Sequence, residues 1–175
     1  MNDVAPHEPW TLLRRATPAR VGLGRAGSSL PTAELLAFRS DHLRAREAVL
    51  AEFDEGALVA DLEARGVEVV ISATTAVDRS DYLRHPGRGR RLDDRSRATL
   101  TGLRRSGRPW DVAVIVSDGL SHQAAARNAG QVVATALGCL PEHLDVAPVV
   151  VLPRARVGVL DDVGASLAAR LAVIL

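Results

Sequence analysis

The sequence predicts an α/β fold, a mostly parallel sheet with flanking helices, preceded by a helical N-terminal region. Three observations carry that prediction. Asp111-Val-Ala-Val-Ile-Val-Ser-Asp-Gly-Leu-Ser121 is a β-branched apolar run that empties into a Ser-Asp-Gly turn, with helix formers over residues 121–140. That is the pattern of a strand buried on both faces, delivering polar groups to its carboxyl end, where open α/β sheets place ligands. Strand-like and helix-like segments then alternate through the second half, which argues for right-handed crossovers with helices on both faces. Finally, 175 residues of which 47% are hydrophobic suffice for the buried core of one domain.

Taken in order, residues 17–31 are rich in Gly, Pro and Ser and read as loop, and Thr32 opens a run of helix formers to about Phe53. Leu36, Leu43 and Leu50 recur every seven residues, with Val49 and Phe53 widening the stripe, so one face of this helix is expected to be buried. A helical turn at 57–64 ends at Gly66, and the alternating, β-branched residues 67–72 form the first strand. Residues 78–91 read as a polar loop, 94–105 as a helix with Leu100 and Leu103 inward, and 106–109 as a turn. A strand at 112–116, a helix at 121–140, a strand at 146–152 and a short helix at 162–170 follow. Residues 171–175 look like a core strand with neither turn nor polar tail after it, as in a chain that stops early and leaves an edge open to aberrant pairing. The expected organisation is a loop and helical region at 1–66 and an α/β domain at 67–175, incomplete at its C-terminus.

Composition removes several function classes. All 22 basic residues are arginine, which excludes a Schiff-base lysine and a P-loop lysine. A net charge of +1 exerts no global pull on nucleic acid. The apolar run 147–152, broken by Pro148, falls far short of the ~20 residues of a membrane helix. Residues 1–9 are polar and acidic rather than basic and then apolar, so no export signal is read and a cytoplasmic location is the expectation. Cys139 stands alone near the end of an apolar helix, which rules out a disulfide framework and suggests a buried packing thiol. His7, His42, His85, His122 and His143 offer no i, i+4 pair, so metal binding is not expected.

Three motifs compete with bland readings. Gly22-Leu-Gly-Arg-Ala-Gly27 matches the dinucleotide fingerprint G-x-G-x-x-G, but Pro18 interrupts what precedes it and Pro31 separates it from the helix, whereas a true fingerprint joins a buried strand directly to a helix. Residues 78–91 hold Arg79, Arg84, Arg88, Arg90 and Arg91 with His85. Guanidinium forks suit phosphate and carboxylate, so this segment reads as a solvated loop, a subunit or cofactor-phosphate contact, or a nucleic-acid patch, the last weakened because Tyr82 is its only aromatic. Ser117, Asp118, Ser121 and His122 hint at nucleophile chemistry, but the G-x-S-x-G elbow is missing. Asp118 or Ser121 capping the following helix, or a helix N-terminus meeting a polar ligand, are the alternatives.

Four blocks taken together, Thr17-Pro-Ala-Arg-Val-Gly-Leu-Gly-Arg-Ala-Gly-Ser-Ser-Leu-Pro-Thr32, Tyr82-Leu-Arg-His-Pro-Gly-Arg-Gly-Arg-Arg-Leu92, Val116-Ser-Asp-Gly-Leu-Ser121 and Ala155-Arg-Val-Gly-Val-Leu-Asp-Asp-Val-Gly164, resemble in order and spacing the small-subunit family of ethanolamine ammonia-lyase. The resemblance implies a Rossmann-like domain in a subunit of the adenosylcobalamin-dependent lyase that converts ethanolamine to acetaldehyde and ammonia. In that family the large subunit carries the substrate site and the radical chemistry, and the small subunit completes the cobalamin site where the two meet. No residue of this chain is therefore expected to be catalytic. Family members contact cobalamin through the segment corresponding to Arg156-Val157, and Val157 carries that contact over. Two further family contacts, the Glu of a Gly-Glu-Arg-Pro-Gly motif and a later Cys, would fall beyond Leu175.

On this basis Val157 is expected to pack on the cofactor's apolar surface, while Arg156 and Asp118 orient its amides or nearby protein groups. The alternatives are a surface ion pair for Arg156 and a helix cap for Asp118. The Gly22 to Gly27 loop and the Arg79 to Arg91 segment are assigned to the interface with the large subunit in a hetero-oligomer, without membrane or nucleic acid as partner. Some family members carry an N-terminal extension that directs them into a protein-shelled microcompartment, and none is seen here. Two other classes stay open: a stand-alone nucleotide- or cobalamin-binding module without a lyase partner, and a nucleic-acid protein whose affinity would be salt-sensitive.

Overall fold

Val112, Val114 and Val116 point to one side of a strand and Ala113 and Ile115 to the other, and all five are buried. Such a strand needs a helical layer on each face, and the rest of the α/β unit supplies it. The structure, a computed structural model, describes residues 8–51, 53–119 and 121–175. The polar start at 1–7, with His7, and Leu120 in the Ser117 to Ser121 turn lie outside the described residues. The chain divides into two compact units, Met1–Glu47 and Ala48–Leu175.

In the first unit, α1 (Glu8–Ala16) is followed by the Gly, Pro and Ser stretch and by α2 (Thr32–Leu50), whose last residues, from Ala48, belong to the second unit. Arg14 Nε donates to the Val21 carbonyl at 2.8 Å, and Arg20 pairs with Asp41. The expectation that the leucine stripe of α2 is buried is corrected. No residue of that helix is buried, and Leu36, Leu43 and Leu50 are 58%, 56% and 51% exposed. A heptad repeat says which side of a helix is apolar; it does not supply the surface that would cover it.

The second unit contains α3 (Glu55–Ala64), β1 (Val69–Ile71), α4 (Arg79–Arg84), α5 (Asp94–Gly102), β2 (Trp110–Val116), α6 (His122–Cys139), β3 (Val149–Val151), α7 (Leu160–Leu167) and β4 (Ala169–Ile174), with 3-10 turns at Arg88–Arg90 and Val157–Val159. The strands form one parallel sheet in the order β1-β3-β2-β4. Register is set by alternation, since Val149 and Val151 of β3 share a face with Val112, Val114 and Val116 of β2, while Val150 joins Ala113 and Ile115. On the first face α3 and α6 bring Leu58, Leu62, Ala129 and Val133; on the second, α5 and α7 bring Leu100, Val163 and Leu167. Helices α3 and α6 meet at Gly130, where a side chain would collide with the Asp61 carboxylate.

Four expectations change. The polar loop at 78–91 is instead α4 and a 3-10 turn, because Asp78 accepts the Asp81 N–H at 2.7 Å and starts a helix. The strand at 146–152 is regular only over Val149–Val151, since Pro148 has no N–H to donate. Cys139 is exposed rather than a buried packing thiol, because it ends α6 outside the core face. Finally, the last strand forms an edge of the sheet, as expected, but is not packed as the core strand its composition suggests: among the described residues β4 pairs with β2 alone, and Leu171 and Val173 are 55% and 39% exposed. No helix among the described residues is long and apolar enough to cross a membrane.

Candidate functional site

Strands β2 and β3 are parallel neighbours, yet the chain leaves β2 for α6 on one face of the sheet and leaves β3 for α7 on the other. Their carboxyl ends therefore part and open a crevice, the location α/β sheets use for ligands. The Ser117 to Gly119 turn and the loop at 152–157 form its two walls, both at the same edge of the sheet, as the sequence led us to expect.

The walls are tied together by polar groups buried where water cannot satisfy them. Ser117 Oγ accepts the N–H groups of Gly119 and Ala155, each at 3.3 Å. Asp118 is 4% exposed, and both its oxygens are engaged. Oδ1 accepts the Arg154 N–H at 2.7 Å, and Oδ2 accepts from Arg79 Nη1 at 2.8 Å. The same Arg79 nitrogen donates to the Gly119 carbonyl at 3.0 Å, and Arg79 Nε donates to Val49 at 2.7 Å. Asp118 is thus not the cap of α6; Ser121 is, accepting the Ala124 N–H. The two Asp118 oxygens are turned toward Arg79 and the Arg154 N–H instead.

Tyr82 is fully buried at the centre of this arrangement. Its hydroxyl lies 3.1 Å from the Gly119 carbonyl oxygen and 3.2 Å from that of Ala155, so it reaches both walls. The guanidinium carbons of Arg79 and Arg156 lie 4.9 Å and 4.3 Å from its ring centroid. Burial pushes the hydroxyl above its ordinary pKa against the opposing pull of Arg156, which keeps it a donor. The neighbouring turn fits only because residue 89 is glycine: an added Cβ would sit 2.9 Å from Tyr82 Cε2 and 3.0 Å from both the Arg154 carbonyl and Arg156 Cγ. The Gly89 carbonyl accepts the Arg156 N–H at 2.7 Å, and Thr74 Oγ1 donates to the Arg154 carbonyl at 3.1 Å.

Beyond this framework lies an open cavity of about 490 Å³, walled by Ala129 and Val132 of α6, Ala155, Val157, Ile174 and Leu175, with Ser117 to Gly119 at its floor. Val157 is 68% exposed at its lip. Arg156 makes no ion pair among the described residues, so the surface-pair alternative is set aside; its Nε and that of Arg154 are buried without a hydrogen-bond partner.

The arginine segment divides its labour. Arg79 serves Asp118, Arg84 bonds Ser80, and Arg88 donates to Asp81 at 2.6 Å. Arg90 and Arg91 are exposed, with no ion pair among the described residues. In the first unit, the Gly22 to Gly27 loop follows α1, with no strand before it among the described residues, so the setting of a dinucleotide fingerprint is missing there. No group of three or more His, Cys, Asp or Glu among the described residues is placed to hold a metal ion.

Tyr82 and Thr74 are the site residues that sequence reasoning missed. Asp78-Arg-Ser-Asp81 is a capping pattern that could have signalled α4 and so turned Tyr82 inward.

The model of the ethanolamine ammonia-lyase light chain family matches residues 7–175. This chain belongs to that family. The light-chain assignment rests on nearly the whole length, as the four sequence blocks led us to expect. The chain is 45% identical over 170 residues to the ethanolamine ammonia-lyase small subunit of Ralstonia nicotianae, covering 95% of this chain and 63% of that protein. It is 42% identical over 183 residues to the small subunit of Pseudomonas syringae pv. tomato, covering 100% and 63%. With that of Bradyrhizobium diazoefficiens it shares 46% over 178 residues, covering 100% and 67%. This light-chain family member thus spans 63% to 67% of the length of these relatives.

Proposed function

We propose that this chain acts as the small subunit of an adenosylcobalamin-dependent ethanolamine ammonia-lyase, paired in a hetero-oligomer with a large subunit that carries the substrate site. In this reading the sheet is Rossmann-like, the complex converts ethanolamine to acetaldehyde and ammonia in the cytoplasm, and the light chain contributes cofactor contacts rather than catalytic groups. The observation that carries the reading is Val157, an apolar residue 68% exposed at the lip of an apolar cavity between diverging strand ends.

The chemistry of the cavity's residues supports the reading. Cobalamin presents a broad apolar surface edged with carboxamides, and it supplies radical chemistry when bound. Val157, Val132 and Leu175 offer apolar area. Arg156 is half-buried with its guanidinium over the Tyr82 ring and its Nε enclosed, so it orients that neighbouring protein group, with Val157 directly after it. Asp118, with both oxygens engaged by Arg79 and Arg154, orients those protein groups and not the cofactor itself. Arg90 and Arg91, exposed near Gly158, are assigned to the large-subunit interface.

The test is co-purification with an ethanolamine ammonia-lyase large subunit, with and without adenosylcobalamin, reading mass and visible absorbance. A complex that retains cobalamin supports the proposal. Retention by the isolated chain would favour a stand-alone module, and a complex that never acquires cobalamin would overturn the assignment of the cavity.

A further inference from the structure

We infer that Tyr82 is a positioning residue for the candidate cofactor site, holding the Ser117 to Gly119 wall and the Arg154 to Val157 wall at one separation. The inference rests on the reading of the crevice as the cobalamin site.

Four features converge on this residue. Among the described residues, its hydroxyl is the one side-chain group within 3.2 Å of a carbonyl on each wall, Gly119 on one and Ala155 on the other. One hydroxyl proton serves two acceptors, so neither carbonyl can move away without losing its share of the donor. The ring packs under the guanidinium of Arg156, the residue directly before Val157, at 4.3 Å. At 4.9 Å it also packs under that of Arg79, whose Nη1 reaches Asp118 and the Gly119 carbonyl. Gly89 lies so near the ring that an added Cβ would sit 2.9 Å from Tyr82 Cε2, which restricts movement of the ring on that side. The residue sits on α4, a helix outside both strands, and therefore acts on the crevice as a fixed external strut.

A Tyr82→Phe substitution removes only the hydroxyl and keeps the ring that both guanidiniums use. Two readouts separate a positioning role from a merely structural one. In amide hydrogen exchange on the isolated chain, Y82F is expected to speed exchange about tenfold at Gly119 and residues 154–157, with Ile115 and Val150 unchanged. In the complex with the large subunit, Y82F is expected to raise the Kd for cobalamin, read by visible absorbance, about five- to tenfold while the complex still assembles. Uniform acceleration of exchange throughout the sheet, or unchanged exchange with unchanged Kd, would overturn the inference. If the wild-type complex holds no cobalamin, the cofactor reading fails, while the exchange experiment still decides whether Tyr82 fixes the walls. Should Y82F not fold, Arg156→Lys keeps the charge and loses the planar stack, and faster exchange confined to residues 154–157 is then the supporting outcome.

Discussion

The backbone N–H of Arg154 reaches across two strand ends to Asp118 Oδ1 at 2.7 Å, and Arg154 adopts the left-handed conformation (φ 54°) to do so. A non-glycine residue holds that conformation at a cost of about 1–3 kcal/mol, which the surrounding contacts must offset. The Asp118 carboxylate is the centre of those contacts, since it also neutralises Arg79.

Removing Asp118 is therefore expected to be severe. Its side chain is 2% exposed and that of Arg79 14%, so Asp118→Ala leaves a largely buried cation without its partner. A loss of about 3–5 kcal/mol is expected in urea unfolding. Asp118→Asn retains an acceptor for the Arg154 N–H and should cost less.

Gly89→Ala and Gly102→Ala form a matched pair. At residue 89 the new methyl meets Tyr82, Arg154 and Arg156 within 3.0 Å, and overpacking of about 1–3 kcal/mol is expected. At residue 102 nothing lies within 4 Å, so the same change should stabilise α5 by about 0.4–1 kcal/mol. Thermal unfolding of both variants would show opposite shifts.

Asp81 sets an acid limit on the segment that carries Tyr82. The Arg88 guanidinium, the Val77 N–H and His85 hold its carboxyl down at about 2, below the ordinary 3.8. A carboxyl whose pKa is depressed on folding adds stability in full above its unfolded value and loses it as pH falls through the folded one. The stability gap between wild type and Asp81→Asn should therefore be constant above pH 5 and narrow between about pH 4 and pH 2. A gap that persists unchanged to pH 2 would contradict this.

Much of this architecture was legible beforehand, for reasons that differ by element. Periodicity marks β2 and β3 because burial on both faces demands apolar residues at every position, and Ser121 marks the start of α6 because a helix needs a cap. The Ser117 to Gly119 turn and Val157 could be placed at one sheet edge from strand adjacency alone. The clasp between the walls could not. Tyr82 meets Gly119 and Ala155 across 37 and 73 residues of chain, and Arg79 meets Asp118 across 39, pairings that exist only once the strand order is known. An arginine in a polar run looks solvated until a buried carboxylate is brought to it. The leucines of α2 err in the opposite direction, since an apolar stripe records a need for cover and not its presence.

Val157→Asp probes the cavity's lip directly. Exposed as the residue is, the substitution should change the stability of the chain by no more than about 0.5 kcal/mol. A raised Kd for cobalamin in the assembled complex would then report on contact with the cofactor, and an unchanged Kd would refute the placement of Val157.

Arg90 and Arg91 test the subunit contact in the same way. Changing both to Ala should leave the fold intact, since neither makes an ion pair among the described residues, and should weaken co-elution with the large subunit. Undiminished co-elution would remove this face from the interface.

Because the two crevice walls are already joined through Tyr82, Asp118 and Ser117, their conformational freedom is lost when the chain folds. A group arriving there meets a preorganised rim and incurs little further ordering cost, so its capture should follow simple second-order kinetics with no slow loop-closing phase.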